Sequence, residues 1–293
     1  MKGMYSMMAN GMTIQNMSGD YFFPDEHIRE GLEKVILFPE ADPSHRIPNG
    51  SAWTYKENVY RPEILGDDVG CGITGFMLQN YDSIDELADE TLKVLEKEDI
   101  SIGRGNHFID ICEGYDSTHK TLFIHSDMNK EGVTPKTLQE AQQMQKDAVE
   151  KRVDVIDTLT SKLGLKTEYL DDWTHNTVES EDGMVYRKGT ISVVDNEGIL
   201  ALNPFDGMLL YGADFSDYDG MMQHSTGVDR EDRVDMTPYL HGQVGKKRVF
   251  RTKGERPENL YKEYRSPSSF AEAFSMEYWP VKKLKSELVI KTD

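Results

Sequence analysis

The sequence predicts an α+β fold, and three observations carry that expectation. Short apolar, strand-like runs recur from residue 35 to residue 291. Two stretches show helical periodicity, and they do not alternate regularly with the strands as a doubly wound sheet would require. No repeat, low-complexity tract or long Pro/Ser linker interrupts the 293 residues, so one domain over 1–293 is expected, with mixed sheets and flanking helices.

Val35-Ile36-Leu37-Phe38 ahead of Pro39 reads as a buried strand, and the turn-forming residues from Pro43 to Gly50 read as a loop. Ile64-Leu65 leads into a Gly-rich segment from Asp68, and Ile73 to Leu78 is a strand leaving it. Ser83-Ile84-Asp85-Glu86 is a capping box that opens a helix to about Lys97. Thr134-Pro135 opens the longest helix, with proline at its first position. Leu138, Ala141, Ala148, Val149, Ile156, Leu159 and Leu163 form its core stripe, and Gly164 ends it. Beyond Met184 the pattern shifts to short strands, Thr190–Val194, Ile199–Leu202 and Met208–Tyr211, separated by Asn196-Glu197-Gly198 and Asp206-Gly207 turns. Glu287–Lys291 is the last expected strand.

A hydrophobic fraction of 38% supports a real core, and no run is long enough to span a bilayer. Met1 to Met17 lacks the apolar stretch of a signal peptide, and two cysteines build no disulfide framework, so a cytoplasmic protein is expected. Cys112 reads as a small buried hydrophobe. A net charge of −19 argues against nucleic-acid binding by a broadly basic surface. A local channel could still come from Arg187-Lys188, from Lys246-Lys247-Arg248 with Arg251 and Lys253, or from Lys282-Lys283 with Lys285. Each of these clusters alone reads better as a solvated face balanced by nearby acids.

Two histidines sit in mirrored contexts, Gly105-Asn106-His107-Phe108 and Trp173-Thr174-His175-Asn176. Asp68-Val69-Gly70-Cys71-Gly72 lies upstream, and His125 closes the apolar run Leu122-Phe123-Ile124. These are five metal donors, one more than a tetrahedral ion needs. A thiolate can bridge two ions, so the set points to a two-metal site, and such sites mostly serve phosphoryl chemistry. His224, in Gln223-His224-Ser225-Thr226-Gly227, adds an imidazole able to attack phosphorus. Taken singly, each of these positions is better explained by packing.

Together and in order, the segments resemble the RtcB-type RNA ligases. Pro39 to Gly50 looks like a degenerate form of that family's Pro-Asp-x-His-x-Gly segment. Asp68–Gly72 is similar to Asp-x-Gly/Asn-Cys-Gly, Gly105–Asp110 to Gly-Asn-His-Phe-x-Glu, and His125-Ser126 to the family's next His-Ser. His175-Asn176 with Arg187-Lys188-Gly189 resembles the His-Asn and His-Arg-Lys-Gly pair. Asn203–Gly207 and His224–Gly227 resemble Asn-Met-Arg-Asp-Gly and His-Gly-Ala-Gly, and Leu260-Tyr261-Lys262 and Ile290-Lys291 the closing elements.

The resemblance implies an RtcB-like domain around a deep two-metal cleft, and a GTP- and Mn²⁺-dependent ligase. Its substrates would be RNA 3′-phosphate or 2′,3′-cyclic phosphate ends and 5′-hydroxyl ends. Asp68, Cys71 and His107 would hold one Mn²⁺; Cys71, His125 and His175 would hold the second. His224 would carry GMP. The implied nucleotide contacts are Asn106, Asp110, His175, Asn176, Asn203, His224, Gly227, Tyr261 and Lys291, with Tyr261 stacking on guanine. The chain departs from the family at Asp110, one methylene shorter than Glu, and at Val228, where the family has Arg. It also departs at Ser126-Asp127-Met128-Asn129, which replaces Ser-Gly-Ser-Arg-Gly. A two-metal phosphohydrolase and a degenerate RNA- or GTP-binding homologue are the rival expectations.

Overall fold

An Asn-Gly pair makes the first turn. Asn10 and Gly11 have φ of 53° and 78°, the geometry of a two-residue hairpin loop, and join β1 (Tyr5–Ala9) to β2 (Met12–Asn16). The computed structural model describes residues 5–79, 83–103, 105–114, 119–129, 131–180, 182–193, 197–212, 215–228, 233–267 and 280–292. After α1 (Glu26–Arg29), β3 (Leu32–Leu37) returns parallel to β2, and β4 (Ser51–Tyr55) pairs antiparallel with β3. β10 (Met184–Lys188) and β9 (Asn176–Ser180) complete a six-stranded sheet in the order β1-β2-β3-β4-β10-β9.

A second, antiparallel sheet has seven strands. These are β5 (Gly72–Gln79), β6 (Phe108–Cys112), β7 (Lys120–Ser126), β8 (Lys166–Thr174), β15 (Leu240–Val244), β16 (Lys247–Arg251) and β18 (Ser286–Lys291), in the order β15-β16-β18-β6-β7-β5-β8. Smaller sheets are formed by β12 (Glu197–Ala201), β13 (Met208–Gly212) and β17 (Pro280–Leu284), and by β11 (Thr190–Ser192) with β14 (Met221–Gln223). The helices are α2 (Pro62–Leu65), α3 (Ile84–Lys97), α4 (Leu138–Lys162) and α5 (Leu260–Glu263). The architecture is mixed α+β, as expected, with sheets predominating. Among the described residues no helix is long and apolar enough to cross a membrane.

The two-residue period of the seven-stranded sheet sorts its side chains. Ile109 and Ile111 of β6 and Leu122 and Ile124 of β7 join the core with α3 and α4, where Leu87, Leu95, Ile156 and Leu159 meet them. Each such fully buried aliphatic contributes about 1.5–3 kcal/mol. The alternate positions, Cys112 and Phe123 with Ile73 and Trp173, face Ile199, Leu200 and Met208 of the small sheets. His125 falls on this second face, opposite both Ile73 and Phe108 in register.

Several boundaries move. The buried run Val35–Phe38 is present, but its strand starts at Leu32. Pro135 lies ahead of α4 rather than at its first position. Thr137 is the cap, with Thr137 Oγ1 accepting from Glu140 N (3.2 Å) and the Glu140 carboxylate accepting from Thr137 N (3.3 Å). That reciprocal box fixes the start three residues later than proline alone suggests. Ser83 caps α3 by accepting from Glu86 N. Glu197 and Gly198 begin β12 instead of forming a turn. Val194 and Asn196 lie outside the described residues. Cys112 is free and buried in the core.

Candidate metal centre

Strand register brings the predicted donors together. Gly72 pairs with Ser126 on one side of β5 and with Thr174 on the other. Cys71, His125 and His175 therefore converge at one end of three adjacent strands. Cys71 O accepts from His175 N (2.9 Å) and Asn176 N (3.2 Å), closing the loop against the β8–β9 connection. Gly70 makes this closeness possible. Its φ is +84°, and a Cβ there would meet Ala148 Cβ at 2.8 Å, so α4 packs directly on the loop.

Cys71 Sγ lies 3.3 Å from His125 Nε2 and 3.7 Å from His107 Nε2, and His125 Nε2 lies 3.3 Å from His175 Nε2. Two donor sets result: Cys71, His125 and His175, and Asp68, Cys71 and His107, each with ligand atoms within 4.8 Å of one another. The thiol belongs to both. His224 belongs to neither set, but its ring stacks on His175 with centroids 3.8 Å apart.

The electrostatics are those of an uncompensated donor cluster. Burial pushes the Cys71 thiol well up, reinforced by Asp68 and Asp127, and pushes Asp68 up to about 6. Burial also holds His125 and His175 well below the usual imidazole range. At neutral pH the imidazoles are therefore uncharged and ready to ligate. His125 Nδ1 faces Asn106 O at 3.3 Å, and a carbonyl only accepts, so Nδ1 carries the proton and Nε2 offers its lone pair to the cluster. One thiol with imidazoles and a carboxylate suits a borderline transition metal, so the residues present fit such an ion.

No family model matches the chain, and no curated protein matches it.

The remaining predicted residues divide. Tyr261 is 49% exposed with its hydroxyl donating to Asp206 (2.8 Å), which leaves the ring available as a platform. Lys291 Nζ donates to His107 O (2.7 Å), and burial lowers it to about 8. Gly227 packs beside Glu40 and accepts from Arg265 N through its carbonyl. Asp110 is buried, pushed up to about 7 by that burial, and accepts from Ser286 Oγ (2.6 Å). Asn203 orders its own turn by accepting from Phe205 N and Asp206 N. Asn176 Nδ2 donates to Asp68 Oδ2 (2.5 Å), while its Oδ1 accepts from Gly189 N (2.6 Å). Asp110, Asn176 and Asn203 thus spend their polar atoms inside the protein.

Of the basic clusters, Arg187 pairs with Glu179, Lys247 with Asp99, Arg251 with Asp85 and Lys253 with Glu287. Lys188 lies near enough to Asp68 to restrain that carboxyl's upward shift.

Sequence reasoning missed two buried residues that hold the site. Glu40 Oε1 lies 3.3 Å from His224 Nδ1, and its Oε2 accepts from Ser225 Oγ (2.5 Å). Its position in the Pro39–Gly50 segment was the available signal. Arg152, with no exposed surface, sits in the apolar stripe of α4. It donates to Gly70 O (2.7 Å), Ser126 O (2.8 Å), Thr74 Oγ1, Thr174 Oγ1 and Asp172. One guanidinium thus ties together the segments bearing Cys71, His125 and His175. Arg152→Met is expected to cost about 3–5 kcal/mol, because it leaves the Asp172 carboxylate without its cation and takes a donor from the Gly70 and Ser126 carbonyls. Urea unfolding would measure it; a loss under about 1 kcal/mol would show that the clamp is dispensable.

Proposed function

We propose that this protein is a GTP-dependent RNA ligase of the RtcB type, joining 3′-phosphate or 2′,3′-cyclic phosphate ends to 5′-hydroxyl ends through GMP carried on His224. The observation that carries this reading is the tether on His224. Nδ1 lies 2.7 Å from Gly189 O and so bears the proton, which leaves the Nε2 lone pair free for attack whenever the ring is neutral. Burial opposes protonation of this ring, but Glu40 and Gly189 O raise its pKa, so the Glu40 charge keeps Nδ1–H oriented. A purely structural cluster has no use for an oriented imidazole stacked on one of its donors.

In this reading Asp68, Cys71 and His107 would hold one Mn²⁺, and Cys71, His125 and His175 a second. The ions would polarise phosphate oxygens and offset developing charge. His224 Nε2 forms a bond to the α-phosphorus of GTP as the bond to pyrophosphate breaks. An RNA 3′-phosphate oxygen then takes the guanylate, releasing His224. The 5′-hydroxyl displaces GMP and closes the phosphodiester. Tyr261 offers its exposed ring to the base.

Charge decides where RNA approaches. Among the described residues, a cavity of about 660 Å³ between α4 and residues 127–129 and 131–133 is bounded by Asp99, Asp127, Glu131, Asp147 and Asp154 with Lys151, an acidic set that repels a polyanion. Beside the His224 loop, Arg265 N donates to Gly227 O and its Nη1 to Pro39 O (2.9 Å), while Arg256 and Lys283 both pair with buried Asp206. RNA would enter from there.

The acidic set, with Val228 standing 49% exposed where a cation is expected, favours a second reading. In it the same cluster hydrolyses a cyclic phosphate or nucleotide. Incubation with α-labelled GTP and Mn²⁺, then denaturation, separates the two. Acid-labile, alkali-stable label on the protein supports the ligase; its absence from metal-loaded protein moves the assignment to hydrolysis or to a GTP-binding homologue without chemistry.

A further inference from the structure

We propose that Asp127 is a positioning residue for His107, and that it sets the affinity of the Asp68–Cys71–His107 ion position. This rests on the metal-centre reading above. The His107 ring has two ends. Nε2 faces Cys71 Sγ at 3.7 Å, whereas Nδ1 is buried and has no hydrogen-bond partner among the described residues. The Ile102 carbonyl is close enough to favour charge on the ring without satisfying that atom. An orphaned ring nitrogen behind a donor nitrogen is where a metal-binding imidazole ordinarily meets a carboxylate or carbonyl. Here the carboxylate is Asp127, with Oδ1 3.9 Å from Nδ1.

The surroundings confine the pair. Gly103, with φ of +91°, lies against the same end of the ring; a Cβ there would come within 2.6 Å of Nδ1 and 3.7 Å of Asp127 Oδ1. Any side chain at 103 would therefore displace the imidazole or separate it from the acid. Asp127 is itself anchored, since Oδ1 accepts from Asn129 N (2.9 Å), and Asn129 Nδ2 donates to Asp67 O (2.6 Å) and Val133 O (3.0 Å). The loop that holds the acid is thus tied to the residue beside Asp68 and runs directly on from β7 and His125. Asp127 also acts electrostatically on Asp68 and Cys71, the other two donors of this set. His125 and His224 have carbonyls at Nδ1, from Asn106 and Gly189. Among the three, His107 is the one whose back nitrogen faces a carboxylate. A carboxylate there favours the Nδ1–H tautomer and makes Nε2 the better donor.

The test is a Co²⁺ titration of the full chain, following thiolate-to-metal absorption and metal content after gel filtration. The unsubstituted chain should fill in two steps. Asp127→Asn should weaken one step about 10- to 100-fold and leave the other alone, with metal-free melting unchanged. Asp127→Glu, which keeps the carboxylate, should recover most of the loss. His107→Ala should remove the same step, and adding Asp127→Asn to it should change nothing more. Equal weakening of both steps, a further loss in the His107→Ala background, or no effect of Asp127→Asn overturns the proposal while the metal centre stands. A chain that binds no second ion, with His107→Ala silent, overturns the metal-centre reading and this inference together.

Discussion

Cys71→Ala is expected to empty both ion positions at once. Its Sγ is the only donor common to the two sets, 3.3 Å from His125 Nε2 and 3.7 Å from His107 Nε2. Alanine leaves Asp68 with His107 and His125 with His175, two donors for each ion, too few for a tetrahedral site. The other thiol, Cys112, is packed in the core and cannot substitute. His175→Ala, by contrast, removes a donor from one set alone and should spare the other ion. Metal content after dialysis against buffer reads the difference, and retention of either ion at full affinity in Cys71→Ala would sink the bridging role. The pH dependence follows from the same sulfur. Burial raises the Cys71 thiol, so at neutral pH an incoming ion must displace its proton, and apparent affinity should rise about tenfold per pH unit. Below about pH 6 the raised Asp68 carboxyl is also protonated, and the dependence steepens. His125 and His175, lowered by burial, stay neutral across this range and add no proton. Cys71→Ala should abolish the proton release.

What the chain discloses in advance is set by range. The apolar periods of 108–112 and 120–126 are local, and they place His125 on the face opposite α4 once the pairing is known. Gly70 and Gly72 announce a tight loop, and the structure makes it tight. The Asn10-Gly11 hairpin is absent from the sequence expectations, although its turn chemistry signals it. Arg152 was not legible, because a cation in an apolar stripe means nothing until three carbonyl- and hydroxyl-bearing strands are known to end beneath it. Glu40 is 184 residues from His224 in sequence and acquires meaning only through their 3.3 Å contact. Motif order likewise cannot tell a ligand-facing amide from a structural one: Asn176 and Asn203 match their segments in type, yet both are occupied by backbone and carboxylate partners.

His224→Ala is expected to leave both ions in place and to remove every trace of protein-bound GMP. The residue lies outside both donor sets, so metal content should match that of the unsubstituted chain. Its ring nevertheless stacks 3.8 Å from His175, and truncation opens a buried gap beside a ligand; a modest stability loss of about 1–3 kcal/mol is therefore expected. The two neighbouring imidazoles cannot take over as nucleophile. His125 Nε2 and His175 Nε2 point into the cluster and would be spent on the ions. Glu40→Gln provides the intermediate case. It removes the charge that favours the oriented ring but keeps Gly189 O at Nδ1, so labelling should slow without being lost. Kinetics of label incorporation at several pH values would expose this. Glu40 raises the His224 pKa, so attack by the neutral ring is suppressed as pH falls through that raised value, and Glu40→Gln should shift the inflection to lower pH. Under the hydrolytic reading the cluster alone activates water, and turnover of a cyclic phosphate or nucleotide should survive His224→Ala nearly intact. Loss of turnover together with loss of label would place the imidazole in the reaction path; survival of turnover would make it a packing partner of His175.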